Sequence, residues 1–214
     1  MNNKSKYLLP VSSLILFNIL IVLIKTVDVA KTGVGDTEIG LYHLNNTAKE
    51  FIGLNMQWYK VTEVLGILAI LSGGIFALAG LFQLIKRKSL VKVDKEILCL
   101  GGLYVIMGLI YVIFEKVIIN FRPIIMSGEI EPEASFPSSH TVLTVVIMGS
   151  IFMILGKYIK NKSALCALKS LCVSIAVITV TGRLISGVHW LTDILGGIIL
   201  SVFLLSTFYS VVKN

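Results

Sequence analysis

The chain alternates between long, nearly unbroken apolar blocks and short polar stretches. It shows neither the rhythm of a surface helix nor the strict alternation of a half-buried strand. Six blocks approach the roughly 20 residues needed to cross about 30 Å of hydrocarbon. They are Tyr7–Ile24, Val64–Ile85, Ile97–Ile119, Ser139–Leu155, Ala164–Thr181 and Trp190–Val212. The pattern predicts an all-α, polytopic membrane protein, with a six-transmembrane-helix bundle and residues 1–214 forming a single integral-membrane domain. The first block follows Lys4 and Lys6 and has the look of a signal peptide. The "TVDVAK" after it lacks a small-x-small cleavage site, which predicts an uncleaved anchor.

Between the first two blocks, "GLYHLNNTAKEFIGLNMQWYKVTEV" mixes apolar and polar residues at helical spacing. Leu44, Phe51, Ile52 and Trp58 fit a short interfacial helix in this first outer loop, or equally a packing or re-entrant helix. His43 reads as a surface or interfacial histidine without chemistry, and "NNT" at Asn45 matches a short glycosylation sequon that nothing else supports.

Composition agrees with the block pattern. Hydrophobic residues make up 56% and charged residues 14%, against about a quarter charged in soluble domains. The formal charge of +7 raises the question of nucleic acid, but the basic residues are distributed as topology signals, and no nucleic-acid partner is expected. "KRKSLVKVDKE" carries five of them and "KYIKNK" three. Together with Lys4, Lys6 and Lys213 they place both termini and these two loops in the cytoplasm. Residues 25–63, the 120–138 loop and the Arg183–His189 segment then lie outside. Cys99, Cys166 and Cys172 sit in apolar spans without metal-ligand spacing, so neither a disulfide framework nor a zinc site is implied.

That topology brings three polar segments to one face: "FRP" with Arg122, "FPSSH" with Ser138, Ser139 and His140, and "GRLISGVHWLTD" with Arg183, His189 and Asp193. His189 and Asp193 are one helical turn apart, so the carboxylate can hold one imidazole nitrogen and leave the other nucleophilic. Taken alone, the pair could equally close a helix end. Arg122 and Arg183 offer forked donors suited to phosphate oxygens, although a single interfacial arginine more commonly snorkels to headgroups. Pro137 suits a first helical turn, which would leave the amides of Ser138, Ser139 and His140 as an anion cradle with His140 beside it as a proton donor. The plainer alternative is a serine-capped membrane helix with an interfacial histidine.

At these residues the chain resembles the type 2 phosphatidic acid phosphatase family (PAP2), membrane lipid phosphatases related to vanadium haloperoxidases. The family pattern has a lysine followed by six residues and Arg-Pro, then Pro-Ser-Gly-His, then Ser-Arg, five residues, His, three residues and Asp. Arg122 and Pro123 match the first part; Pro137, Ser138 and His140 match the second, with Ser139 at the glycine; Arg183, His189 and Asp193 match the third in spacing. The chain departs at Glu115, which holds the lysine position with Lys116 one residue nearer Arg122, and at Gly182, which replaces the serine. Either a local helix shift lets Lys116 reach phosphate or that contact is missing.

The resemblance implies that His189 attacks phosphorus to give a phosphohistidine, that Asp193 orients and stabilises it, and that His140 protonates the departing oxygen. It assigns Arg122, Arg183, Ser138, the Ser139 amide and, if it reaches, Lys116 to the phosphate oxygens. No carboxylate cluster suited to Mg²⁺ sits beside these motifs, so no cofactor or metal is expected. The expected partners are the bilayer and a membrane lipid phosphate or pyrophosphate such as phosphatidic acid, phosphatidylglycerophosphate or undecaprenyl pyrophosphate. The expected location is a bacterial plasma membrane with the site extracytoplasmic. Alternatives from other classes are a non-catalytic lipid-phosphate binder or flippase, and a small channel or transporter. A channel should spread its polar residues along a path through the bilayer, whereas here they cluster at one face.

Overall fold

The computed structural model describes residues 6–213, so Lys4 of the topology argument lies outside the described residues. In chain order it has α1 (Leu8–Thr26), a two-stranded hairpin of β1 (Ala30–Lys31) and β2 (Glu38–Ile39), α2 (Tyr42–Ile52), α3 (Met56–Arg87), α4 (Lys95–Lys116), α5 (Ser139–Tyr158), α6 (Lys162–Ser186) and α7 (Leu191–Val212). Six of these helices are long and apolar enough to cross a membrane, and the protein is an all-α integral membrane protein apart from the small hairpin. The blocks were placed correctly, but their ends differ from the hydropathy limits. α3 begins at Met56 and not Val64 because Asn55 caps it, accepting from the amides of Gln57 and Trp58. Trp58 therefore belongs to α3. α4 stops at Lys116, short of Ile119, and α6 runs on to Ser186, which puts Arg183 in its last turn.

The helices are not equivalent. The apolar window of α5 is 56% buried and that of α7 44%, whereas the other four lie between 11% and 22%. α5 and α7 are thus the inner helices, and they bear His140 and Asp193. Phe17, Leu20 and Ile24 of α1 pack with Leu100 and Leu103 of α4, Val142 and Val146 of α5, and Leu200 and Leu204 of α7. The outer faces keep large exposed apolar residues, such as Ile67, Leu71, Ile75 and Leu78 on α3. In water such a surface would aggregate; facing lipid it costs nothing.

The two ends of the bundle are tied differently. At one end Asp94 accepts from Gln83 at 3.0 Å and pairs with Arg87, contacts that hold its carboxyl below the usual range. At the other end, the short α2 docks through Asn45. Its side-chain oxygen accepts from the amide and hydroxyl of Thr192, both at 3.1 Å, and its nitrogen donates to the Gly40 carbonyl at 3.0 Å. Asn45 is fully buried, so the "NNT" match is a structural asparagine and no acceptor for glycan. Leu44 and Phe51 of the same helix are exposed. α6 ends at Gly187, which has φ +69° and sits against the Gly53 carbonyl, a position where a side chain would be both strained and blocked.

Candidate active site

α1, α4 and α6 end, and α3, α5 and α7 begin, at the same end of the bundle, and the polar segments gather there. Asp193 lies in the first turn of α7, where a carboxylate is favoured by the free amides and the helix dipole. Its Oδ2 accepts from the Trp190 amide at 3.0 Å, and its Oδ1 from Asn120 Nδ2 at 2.9 Å. Two donors of this kind make it possible to bury the carboxylate completely. Asp193 Oδ2 also lies 3.5 Å from His189 Nδ1, an ion-pair distance longer than a made hydrogen bond. His189 Nε2, on the other edge of the ring, has no partner. Burial pushes the His189 imidazole below its ordinary pKa; Asp193 opposes the shift and Arg122 reinforces it. Burial thus favours the neutral ring, the form in which an imidazole nitrogen is nucleophilic.

Arg122 is delivered by the loop joining α4 to α5, which folds back on itself. The Arg122 amide donates to the Glu133 carbonyl at 2.9 Å, Phe121 bridges to Ala134, and the Arg122 guanidinium pairs with Glu133 at 2.9 Å. Trp190 Nε1 fixes this loop to α7 by donating to the Phe121 carbonyl at 2.8 Å. Arg183 is fully buried beside the Tyr59 ring, 4.8 Å from its centroid, and pairs through Nη2 with Glu63 of α3. Arg122 Nη1 and Arg183 Nε and Nη1 are buried without a partner. Buried charged donors are rarely left unsatisfied, so these atoms and His189 Nε2 mark out a place for an anion.

The "FPSSH" segment departs from its expected geometry. Pro137 stands before the helix and not in its first turn: Ser138 is the cap, and α5 starts at Ser139. The Ser138 amide is not free: it donates to the Asp193 carbonyl at 3.1 Å, and its hydroxyl accepts from Thr141 at 3.0 Å. Ser138 thus joins α5 to α7, which leaves the first-turn amides of Ser139 and His140 without intrahelical partners. His140 Nε2 lies 3.1 Å from Glu63 Oε1.

A cavity of about 490 Å³ opens onto Arg122, Ser139, His140 and His189. Its walls also include apolar residues: Ile70 of α3, Met107 and Phe114 of α4, and Val142 and Leu143 of α5. Glu115 lines it and Lys116 does not; Lys116 is exposed at the end of α4. Of the two possibilities left open by the sequence, the structure makes no Lys116 contact in the cavity. Gly182, at the family's serine, has its space filled by α3: a Cβ there would come within 2.6 Å of Thr62 and 3.0 Å of Trp58.

Two residues at the site were missed by sequence reasoning. Asn120, just before Phe121 and Arg122, gives no local sign that it serves Asp193. Glu63 does give one, since a lone carboxylate beside an apolar block is costly unless paired.

A buried imidazole backed by a carboxylate, with unpaired guanidinium donors at the ends of membrane helices, is an arrangement suited to receiving an anion beside a nucleophile. Residues 96–214 match the model of the PAP2 superfamily, more than half of the chain, and the chain belongs to that superfamily. It is accordingly an integral-membrane phosphatase of a class that hydrolyses lipid phosphates. Its fold is similar to the crystal structure of the first transmembrane PAP2-type phosphatidylglycerolphosphate phosphatase from Bacillus subtilis. The TM-score is 0.65 at 18% identity, with 95% of this chain and 94% of the other covered. Comparison with curated protein sequences gives no match.

Proposed function

We propose that the chain works as one integral-membrane domain and hydrolyses a lipid phosphate or pyrophosphate at the extracytoplasmic face, through a phosphohistidine and without a metal. The observation that carries this reading is the buried, unpartnered donors of Arg122 and His189 in the lining of a cavity that also has apolar walls, with the unpartnered donors of Arg183 joined to the same site through Glu63. A phosphate headgroup satisfies the donors, and an acyl or prenyl chain fits the walls. Basic loops at the opposite end of the bundle support the extracytoplasmic assignment.

In this reading His189 Nε2 attacks phosphorus as the bond from phosphorus to the departing oxygen breaks, and that oxygen takes a proton from His140. A water then attacks the phosphohistidine and gives its proton to His140. The P–N bond breaks, and its electron pair returns to His189. Arg122, Arg183 and the amides of Ser139 and His140 stabilise the equatorial oxygens, a role that metal ions fill in other phosphoryl transfers.

Purified protein is expected to release phosphate in EDTA from at least one member of a panel containing phosphatidic acid, phosphatidylglycerolphosphate and undecaprenyl pyrophosphate. The structural neighbour's substrate puts the second of these on the panel. Glu115, standing in the cavity where the family carries lysine, favours a second reading: a protein that binds lipid phosphate without turnover. Binding by the native protein with no phosphate release from any panel lipid would decide for that second reading.

A further inference from the structure

Glu63 is assigned no role by the family motifs, yet it touches two of the residues that carry them. Its Oε1 lies 3.1 Å from His140 Nε2 and also pairs with Arg183 Nη2. The surrounding helix is shaped for this contact. Gly66, one turn further along α3, faces the same ring, and a Cβ there would come within 3.0 Å of His140 Cδ2. On the other side, Gly182 lets Thr62 and Trp58 close against α6, which brings Glu63 up to Arg183. Two glycines, one facing His140 and one beside Arg183, thus admit α3 at the site.

We infer that Glu63 is the positioning residue of the acid–base histidine: it holds His140 through Nε2 and leaves Nδ1 as the nitrogen that exchanges a proton with substrate and water. The inference rests on the reading of His140 as the acid. In the first half-reaction Nδ1–H passes its proton to the departing oxygen while Nε2–H stays on Glu63. In the second half-reaction Nδ1 takes a proton from the attacking water, and the Glu63 carboxylate balances the imidazolium that forms. This is the division of labour of an Asp–His pair in a hydrolytic triad, built across two helices. Arg183 keeps Nε and Nη1 for phosphate while Nη2 stays on Glu63.

The test uses two substrates that differ in their need for an acid. Short-chain phosphatidic acid releases a poor leaving group; p-nitrophenyl phosphate releases a good one. Glu63→Gln is expected to lower kcat/KM, which reports the step in which the leaving group departs, by about 10- to 100-fold more on phosphatidic acid than on p-nitrophenyl phosphate, within the range of acid–base assistance. Any loosening of Arg183 weakens both substrates by the same factor, and the water step is common to both, so the test is the ratio of the two kcat/KM losses. In a His140→Ala background, Glu63→Gln is expected to produce no such split between the substrates. Glu63→Asp, which keeps the charge on a shorter arm, is expected to show the same substrate split with a smaller loss, and it decides the matter if the glutamine variant does not accumulate. Equal kcat/KM losses on both substrates, no loss on either, or a substrate split that persists in the His140→Ala background would overturn the inference. Those results would leave the phosphatase reading intact, whereas absence of phosphate release by the native protein would remove the reading itself.

Discussion

His189→Ala is expected to reduce phosphate release from the active panel lipid to background, a fall of at least about 10⁴-fold in kcat, the scale on which hydrolases lose rate when their nucleophile is removed. The geometry behind this expectation is specific. Asp193 is locked by Trp190 and Asn120 and lies 3.5 Å from Nδ1 of His189, on the ring edge away from Nε2, which has no partner. An alanine at this position leaves the donors on Arg122 and Arg183 in place, so lipid phosphate should still bind. Orthovanadate, whose tight binding depends on a nucleophile at the apical position, should bind the alanine variant far more weakly than the native protein. Substantial turnover by the alanine variant would mean that another group attacks phosphorus.

Arg183→Lys is the second large effect, and it is expected although the formal charge is conserved. Arg183 is fully buried, its Nη2 is committed to Glu63, and Nε and Nη1 remain for phosphate. A lysine offers one compact charge on a flexible stem and cannot serve the carboxylate and the phosphate together in fork geometry. Loss of preorganised donors at a developing charge costs roughly 10²- to 10³-fold, and kcat/KM should fall by about that factor. A lysine variant within a few-fold of the native kcat/KM would show that Arg183 holds Glu63 and little else.

Much of the fold was legible because the solvent is lipid. A helix that faces hydrocarbon must be apolar almost throughout, so Ile97–Ile119 or Trp190–Val212 stand out by composition alone. The start of α3 did not stand out, since "MQWYKVTE" is too polar for a hydropathy limit and is made helical by the Asn55 cap. At the site, Arg183, His189 and Asp193 were readable because their relationship is local in sequence: the last turn of one helix and the first turn of the next. Contacts made between helices were not. The Ser138 amide seemed free for an anion until Asp193 of α7 supplied a carbonyl for it. Asn120 and Glu63 have partners 73 and 120 residues away in Asp193 and Arg183. The position at which the chain breaks the family's lysine rule was visible in sequence, but only the packing of α4 shows that Glu115, and not Lys116, lines the cavity.

The central claim is that phosphate passes through His189. The most direct measurement is to quench the protein rapidly during turnover of a lipid substrate labelled in its phosphate, then follow the label on the protein. A native chain labelled in an acid-labile, base-stable manner at the peptide containing His189, with no label on His189→Ala, is the predicted result. Turnover by the native enzyme with no such label under conditions where hydrolysis of the intermediate is slowed, or a label that persists in the alanine variant, would contradict it.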